Sequence, residues 1–132
     1  MSEERKALIL YRLEMAKATL EDALVLCREG RSHWSILNRA YYAMFYAVLA
    51  LLTFVGKAPS KHSGAITLFD EHFVKSGEFP LEMSKWLHRA FDLRQRSDYR
   101  EMYFPNAAQV AEVLQWAKAF VAQVEAYLSA RL

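Results

Sequence analysis

The sequence predicts an all-α protein, an up-and-down bundle of four long helices with one short helix added. Three observations carry that prediction. Apolar residues recur at alternating steps of three and four along most of the chain, the period of an amphipathic helix. Breakers are scarce, with four Gly and three Pro in 132 residues. No stretch alternates apolar and polar residues in the manner of a strand. The length suits one domain, residues 1–132, and an apolar content of 54% supplies a core without help from a disulfide or a metal.

The first helix is expected from about Glu3 to Arg28, with Ile9, Leu13, Ala16, Leu20, Ala23 and Cys27 on one face. Gly30 ends it as a C-terminal cap residue. The second runs from near Ser32 to Gly56. Trp34, Leu37, Tyr41, Met44, Val48, Leu51 and Val55 make one stripe, and Tyr42, Phe45, Leu49 and Leu52 make another. A helix apolar on two faces is covered by two partners, so it is central to the bundle or shared with a second subunit. Gly56 to Ser63 reads as a loop holding Pro59, Lys57 and Lys61. A short helix follows with Ile66, Phe69 and Phe73 on one side, broken at Ser76-Gly77. Pro80 suits the first turn of a fourth helix that continues to about Ser97, and Met83, Leu87 and Ala90 form its inner stripe. Pro105-Asn106 opens the last helix, whose stripe is Val110, Val113, Ala117, Phe120, Val124 and Tyr127.

Composition excludes several classes of function. A formal charge of +2 is too small to imply nucleic-acid or membrane binding by itself, so any such contact must come from local clustering. One cysteine, Cys27, forbids an internal disulfide and any CxxC zinc site, and is expected to be a small buried hydrophobe. The charge-free stretch Ala40 to Val55 is shorter than the roughly 20 residues a membrane span needs. The charged start Ser2-Glu3-Glu4-Arg5-Lys6 does not read as a signal peptide. A cytoplasmic protein without membrane contact is therefore expected. His33, His62, His72 and His88 lie on different elements without metal-ligand spacing, and His88 with Asp92 makes only two ligands, so neither metal nor cofactor is expected. Trp34, Trp86 and Trp116 read as core or dimer contacts.

Arg94 stands out. Four residues beyond Ala90, it falls where the inner stripe of the fourth helix calls for an apolar side chain. A guanidinium cannot be neutralised, and burying it alone costs several kcal/mol, so it must reach a carboxylate, a polar network or an anion. Asp98, one turn on, is the simple intramolecular partner. Around it runs Leu93-Arg94-Gln95-Arg96-Ser97-Asp98-Tyr99-Arg100, with three arginines. Ser35, Asn38, Arg39 and Tyr42 place polar groups on the first turns of the otherwise apolar second helix. In an up-and-down bundle these groups and the Arg94 turn can converge. The alternative for them is capping and a solvated tip. His62, beside Lys61 and Ser63, is placed either to contact phosphate or to cap the loop.

Taken together, Asn38-Arg39-Ala40-Tyr41-Tyr42-Ala43-Met44-Phe45, Lys61-His62-Ser63-Gly64, Leu68-Phe69, Phe73-Val74-Lys75-Ser76-Gly77 and Leu93-Arg94-Gln95-Arg96-Ser97-Asp98-Tyr99 resemble the HEPN domain family, above all its small stand-alone prokaryotic members. The resemblance covers nearly the whole chain. It implies a helical bundle that forms homodimers. Many members are metal-independent RNases, some are toxins neutralised by an adjacent minimal nucleotidyltransferase, and others bind RNA or nucleotides without cleaving. Active members carry an arginine followed, after roughly four to six residues, by a histidine, and two such motifs meet at the dimer interface. Arg94 matches the arginine. Tyr99 stands at the histidine position, followed by Arg100 and Glu101, and no histidine follows His88. Histidine titrates at about 6.5 and tyrosine at about 10, so a phenol at that position is a poor base near neutral pH.

Arg94 and Tyr99 are thus the candidate catalytic residues, and Asn38, Arg39, Tyr42, Lys61, His62, Arg96 and Asp98 the candidate binding residues. Three functions are expected to compete. One is a dimeric module binding RNA, a nucleotide or a minimal nucleotidyltransferase in a toxin–antitoxin-like pair. The second is an endoribonuclease toxin using Arg94 with Tyr99 or His62. The third is a purely structural dimerisation module.

Overall fold

A computed structural model describes residues 1–99 and 102–132; Arg100 and Glu101, part of the polar run after Arg94, lie outside the described residues. The elements are α1 (Glu3–Arg28), α2 (His33–Phe54), α3 (His62–Phe69), α4 (Leu81–Tyr99) and α5 (Ala107–Ser129). There is no strand among the described residues. The all-α expectation of four long helices and a short one therefore holds.

Local chemistry accounts for the helix ends. The Ser2, Ser32 and Asn106 side chains accept from Arg5, Ser35 and Gln109 amides, satisfying donors that a helix start leaves open. At α5 the Gln109 side chain also accepts from the Asn106 amide, completing a capping box. Past α2 the chain reverses at Gly56 with φ +77°, where a side chain would meet the Arg5 guanidinium. That turn places the α2 end at Phe54, two residues short of the expected Gly56. Pro80 lies just ahead of α4, and its carbonyl accepts from Met83. α4 runs on to Tyr99, beyond the expected Ser97. After α3 the helix widens by one residue per turn over Asp70–Val74, where the Lys75 amide reaches the Asp70 carbonyl.

α2 is the central helix and packs against α1, α3, α4 and α5. Its two apolar stripes are therefore covered within the chain over most of their length, with Trp34, Tyr42 and Leu49 left partly exposed. By length and composition α2 could cross a membrane, yet most of it is buried inside the bundle. An aromatic group of Phe69, Phe73, Phe79 and Phe120 ties α3 and its continuation to α5, with ring centroids 5.4–6.1 Å apart.

One expectation about burial fails. Cys27 is exposed. It sits in the last turn of α1 beside a shallow pocket shared with His33, Ile36 and Val110, which flank it without covering it. Trp34 is 45% exposed and is no core residue. Its indole finds a polar partner on α4 instead. Trp86 and Trp116 are partly buried against the core, as expected.

Candidate functional site

Arg94 is positioned by the periodicity of α4. Met83, Leu87, Ala90 and Leu93 are buried, and the next residue carries the guanidinium along the margin of that face, where its side chain keeps 13% exposure. The intramolecular partner is present: Arg94 Nε lies 2.8 Å from Asp98 Oδ2, although without the alignment of a hydrogen bond. Arg94 Nη2 donates to the Tyr42 hydroxyl at 3.0 Å. The guanidinium carbon also stands 5.2 Å and 5.6 Å from the Tyr42 and Tyr41 ring centroids. Trp34 Nε1 donates to the other Asp98 oxygen at 2.9 Å. Trp34, Asp98, Arg94 and Tyr42 thus form one polar chain binding the first turns of α2 to the last turns of α4. Arg94 Nη1 makes no hydrogen bond among the described residues.

An open cleft of about 520 Å³ lies here, lined by Lys61, His62, Ser63, Phe91, Arg94, Gln95 and Tyr99. Arg94, Lys61, His62 and Tyr99 are therefore brought together. Tyr99 is 74% exposed and forms the rim. Asn38 and Arg39 are not brought in. Arg39 donates twice to Asn38 Oδ1, at 3.0 and 3.1 Å, and borders a separate pocket with Asp22, Val25 and Leu26 on α1. Among the described residues the Tyr42 ring stands between Arg39 and Arg94, 5.2 Å from each guanidinium carbon. Arg96 pairs with Asp92 at 3.0 Å and does not line the cleft. Among the described residues no three of His, Cys, Asp and Glu gather as a metal site; His88 bonds Asp70 at 2.7 Å.

His62 opens α3, and its environment decides its chemistry. The ring stacks on Phe45 with centroids 3.9 Å apart and planes 5° from parallel. Its Nδ1 lies 2.7 Å from the Tyr41 hydroxyl. Tyr41 is fully buried, and burial pushes its phenol well above the ordinary tyrosine value, so it keeps its proton. That hydroxyl has no other acceptor among the described residues. A buried O–H is satisfied only if it donates, which makes Nδ1 the acceptor and puts the neutral ring's proton on Nε2. His62 therefore carries its N–H at Nε2 and withholds there the lone pair a base would use. Partial burial, aided by the Arg94 charge, holds its pKa below the ordinary histidine value.

This lowered pKa gives a pH prediction. The unfolded chain binds more protons in the interval below about 6.5, so His62 contributes stability that is complete above that pH and lost as pH falls through the folded value. The melting temperature of wild type is expected to fall across that interval more steeply than that of His62→Gln. Parallel curves would contradict it.

The start of α3 adds a third element. Lys61 is its N-cap residue and makes no side-chain capping bond. The first amides of the helix, next to Ser63 and Gly64, are thus left to solvent or to an anion. In the sequence, Lys61 to Ser63 reads as part of a loop. Its place beside Arg94 depends on how α3 packs, which has no local signal.

A small all-α bundle with an uncapped helix start, a neutral histidine and a partly neutralised arginine in one cleft is the class of protein defined here. The chain belongs to the HEPN domain family, whose sequence model matches residues 9–127. It is 37% identical over 122 residues to a UPF0332 protein of Thermotoga maritima, covering 92% of each chain. It is 30% identical over 123 residues to the Methanocaldococcus jannaschii protein named "Putative toxin MJ0605", covering 93% of this chain and 87% of that one. A second protein of that organism, named "Putative toxin MJ0142", is 34% identical over 87 residues, 66% of this chain and 58% of its own.

Proposed function

We propose that this HEPN protein binds RNA or a nucleotide through phosphate in the Arg94 cleft, as a cytoplasmic homodimer in a toxin–antitoxin-like pair with a minimal nucleotidyltransferase. The observation that carries the binding reading is the convergence of Arg94 Nη1, Lys61, the His62 ring and the open amides of α3 in one cleft. Every one of these is a donor, and none of the lining residues is a carboxylate. Support for the toxin-like setting comes from the names of two relatives. The dimer reading draws on Trp34, Tyr42, Tyr46 and Leu49, which remain partly exposed on α2, and on exposed Met102 and Phe104 after α4.

A second reading, cleavage of RNA with His62 as the base, is favoured by the neutral ring sharing a cleft with Arg94. The Tyr41 bond weighs against it, because the proton sits on the nitrogen left to face a substrate. Titrating purified protein with a labelled oligoribonucleotide tests both. Binding without product, by a particle whose light-scattering mass is twice that of the 15.3 kDa chain, is expected. Absence of binding ends the first reading, and cleavage abolished by His62→Gln establishes the second.

A further inference from the structure

The Arg94 cleft does not end at His62. A second cleft, of about 260 Å³, adjoins it and is lined by Arg12, Phe45, Leu49, Ala58, Pro59, Ser60, Lys61 and His62. Lys61 and His62 line both clefts. Neither cleft has a carboxylate among its lining residues, whereas the chain as a whole carries a formal charge of only +2.

Arg12 is held in this second cleft by the buried Thr53. The Thr53 hydroxyl donates to the Leu49 carbonyl at 2.8 Å, so it is free to accept, and Arg12 Nη1 donates to it at 2.6 Å. Five of the nine described arginines lie against carboxylates: Arg28 on Glu21, Arg89 and Arg96 on Asp92, Arg94 on Asp98 and Arg131 on Glu78. Arg12 makes no ion pair among the described residues, and its remaining guanidinium nitrogens keep their charge for a ligand. A guanidinium anchored by one nitrogen is preorganised and loses less freedom on binding an anion. The His62 ring, common to both clefts, is held in place by its stack on the buried Phe45.

The geometry points to a two-phosphate track for single-stranded RNA, with one phosphate at Arg94, the next at Arg12, and Lys61 between them. This rests on the RNA-binding reading above and adds Arg12 as a second binding residue. Two carboxylate-free clefts that share Lys61 and His62 suit a chain of phosphodiesters better than an isolated anion, which would fill one cleft and leave the other empty.

The test is the salt dependence of binding to a fluorescein-labelled oligouridylate. Each phosphate contact on a single strand contributes about 0.7 to the slope of log affinity against log salt. Arg12→Gln and Arg94→Gln are each expected to flatten the wild-type slope by about 0.7, and the double variant by about 1.4, twice that value. Arg12→Lys, which keeps the charge, is expected to retain the wild-type slope. If Arg94→Gln flattens the slope and Arg12→Gln does not, the track is wrong and the binding reading stands. If wild type does not bind the oligouridylate, both are wrong. Should loss of the Thr53 bond prevent Arg12→Gln from folding, Ser60→Glu sets a negative charge in the same cleft from an exposed loop. Weaker binding by Ser60→Glu supports the track, and unchanged affinity overturns it.

Discussion

Arg94→Ala is expected to cost the protein both its RNA affinity and part of its stability, and the two losses separate in a double variant. The substitution removes the cation that Asp98 faces at 2.8 Å and the donor to Tyr42 at 3.0 Å. Asp98 is left with the Trp34 indole alone, its side chain 15% exposed. A largely buried carboxylate stripped of its cation destabilises the fold by about 1–3 kcal/mol, less than for a fully buried pair because some water remains. Adding Asp98→Ala removes the stranded charge, so the double variant is expected to melt above Arg94→Ala. RNA affinity is expected to fall about tenfold or more in the single variant, since one charge-assisted phosphate contact is worth roughly 1.5–3 kcal/mol. It does not return in the double variant, because the phosphate donor is still missing. Thermal melts and a binding titration on the three proteins decide the matter. If stability recovers in the double variant while affinity never changed, Arg94 is a structural residue and the protein a dimerisation module.

Phe69→Ala is expected to cost about 3–5 kcal/mol, a large share of the roughly 5–15 kcal/mol that hold a domain of this kind folded. Phe69 is fully buried and touches Phe73, Phe79 and Phe120, so its removal leaves a cavity that three rigid rings cannot collapse to fill. The functional consequence follows from chain connectivity. α3 is eight residues long, with His62 at one end and Phe69 at the other. Its attachment to the core rests on Ala65, Ile66 and Phe69. Loosening it disturbs the His62–Phe45 stack and the Lys61 turn, so RNA affinity is expected to drop although Phe69 lines neither cleft. Chemical denaturation and the same titration measure both effects. A stability loss below 1 kcal/mol, the scale of a surface change, would falsify the packing account.

Much of the fold was legible in the sequence. The bounds of α1 coincide with those expected, and the stripes on α4 and α5 name residues that are buried, except Tyr127, which is partly so. The Arg94–Asp98 pair was also readable, being one helical turn apart. The site was legible only in part. Arg94 and Lys61 were named, but Asn38, Arg39 and Arg96 turn to other partners, Arg12 carried no signal at all, and Tyr41 read only as core. Cys27 and Trp34 matched the apolar period and are exposed nonetheless, because periodicity marks a face without saying how far along the helix a neighbour covers it.

The sequence by itself determined the helices and their caps, and the placement of a charge on the margin of the α4 stripe. Those are matters of hydrogen bonds and side-chain spacings within about four residues, and they survive any arrangement of the bundle. Only the tertiary structure decided that His62, opening α3, shares a cleft with Arg94 near the end of α4, that Tyr41 takes its Nδ1, and that Arg12 of α1 lines a second cleft with the same ring. Each of those contacts joins segments 20 or more residues apart. They depend on which faces are buried together when five helices close on one core, and that packing is a property of the whole chain that no local pattern carries.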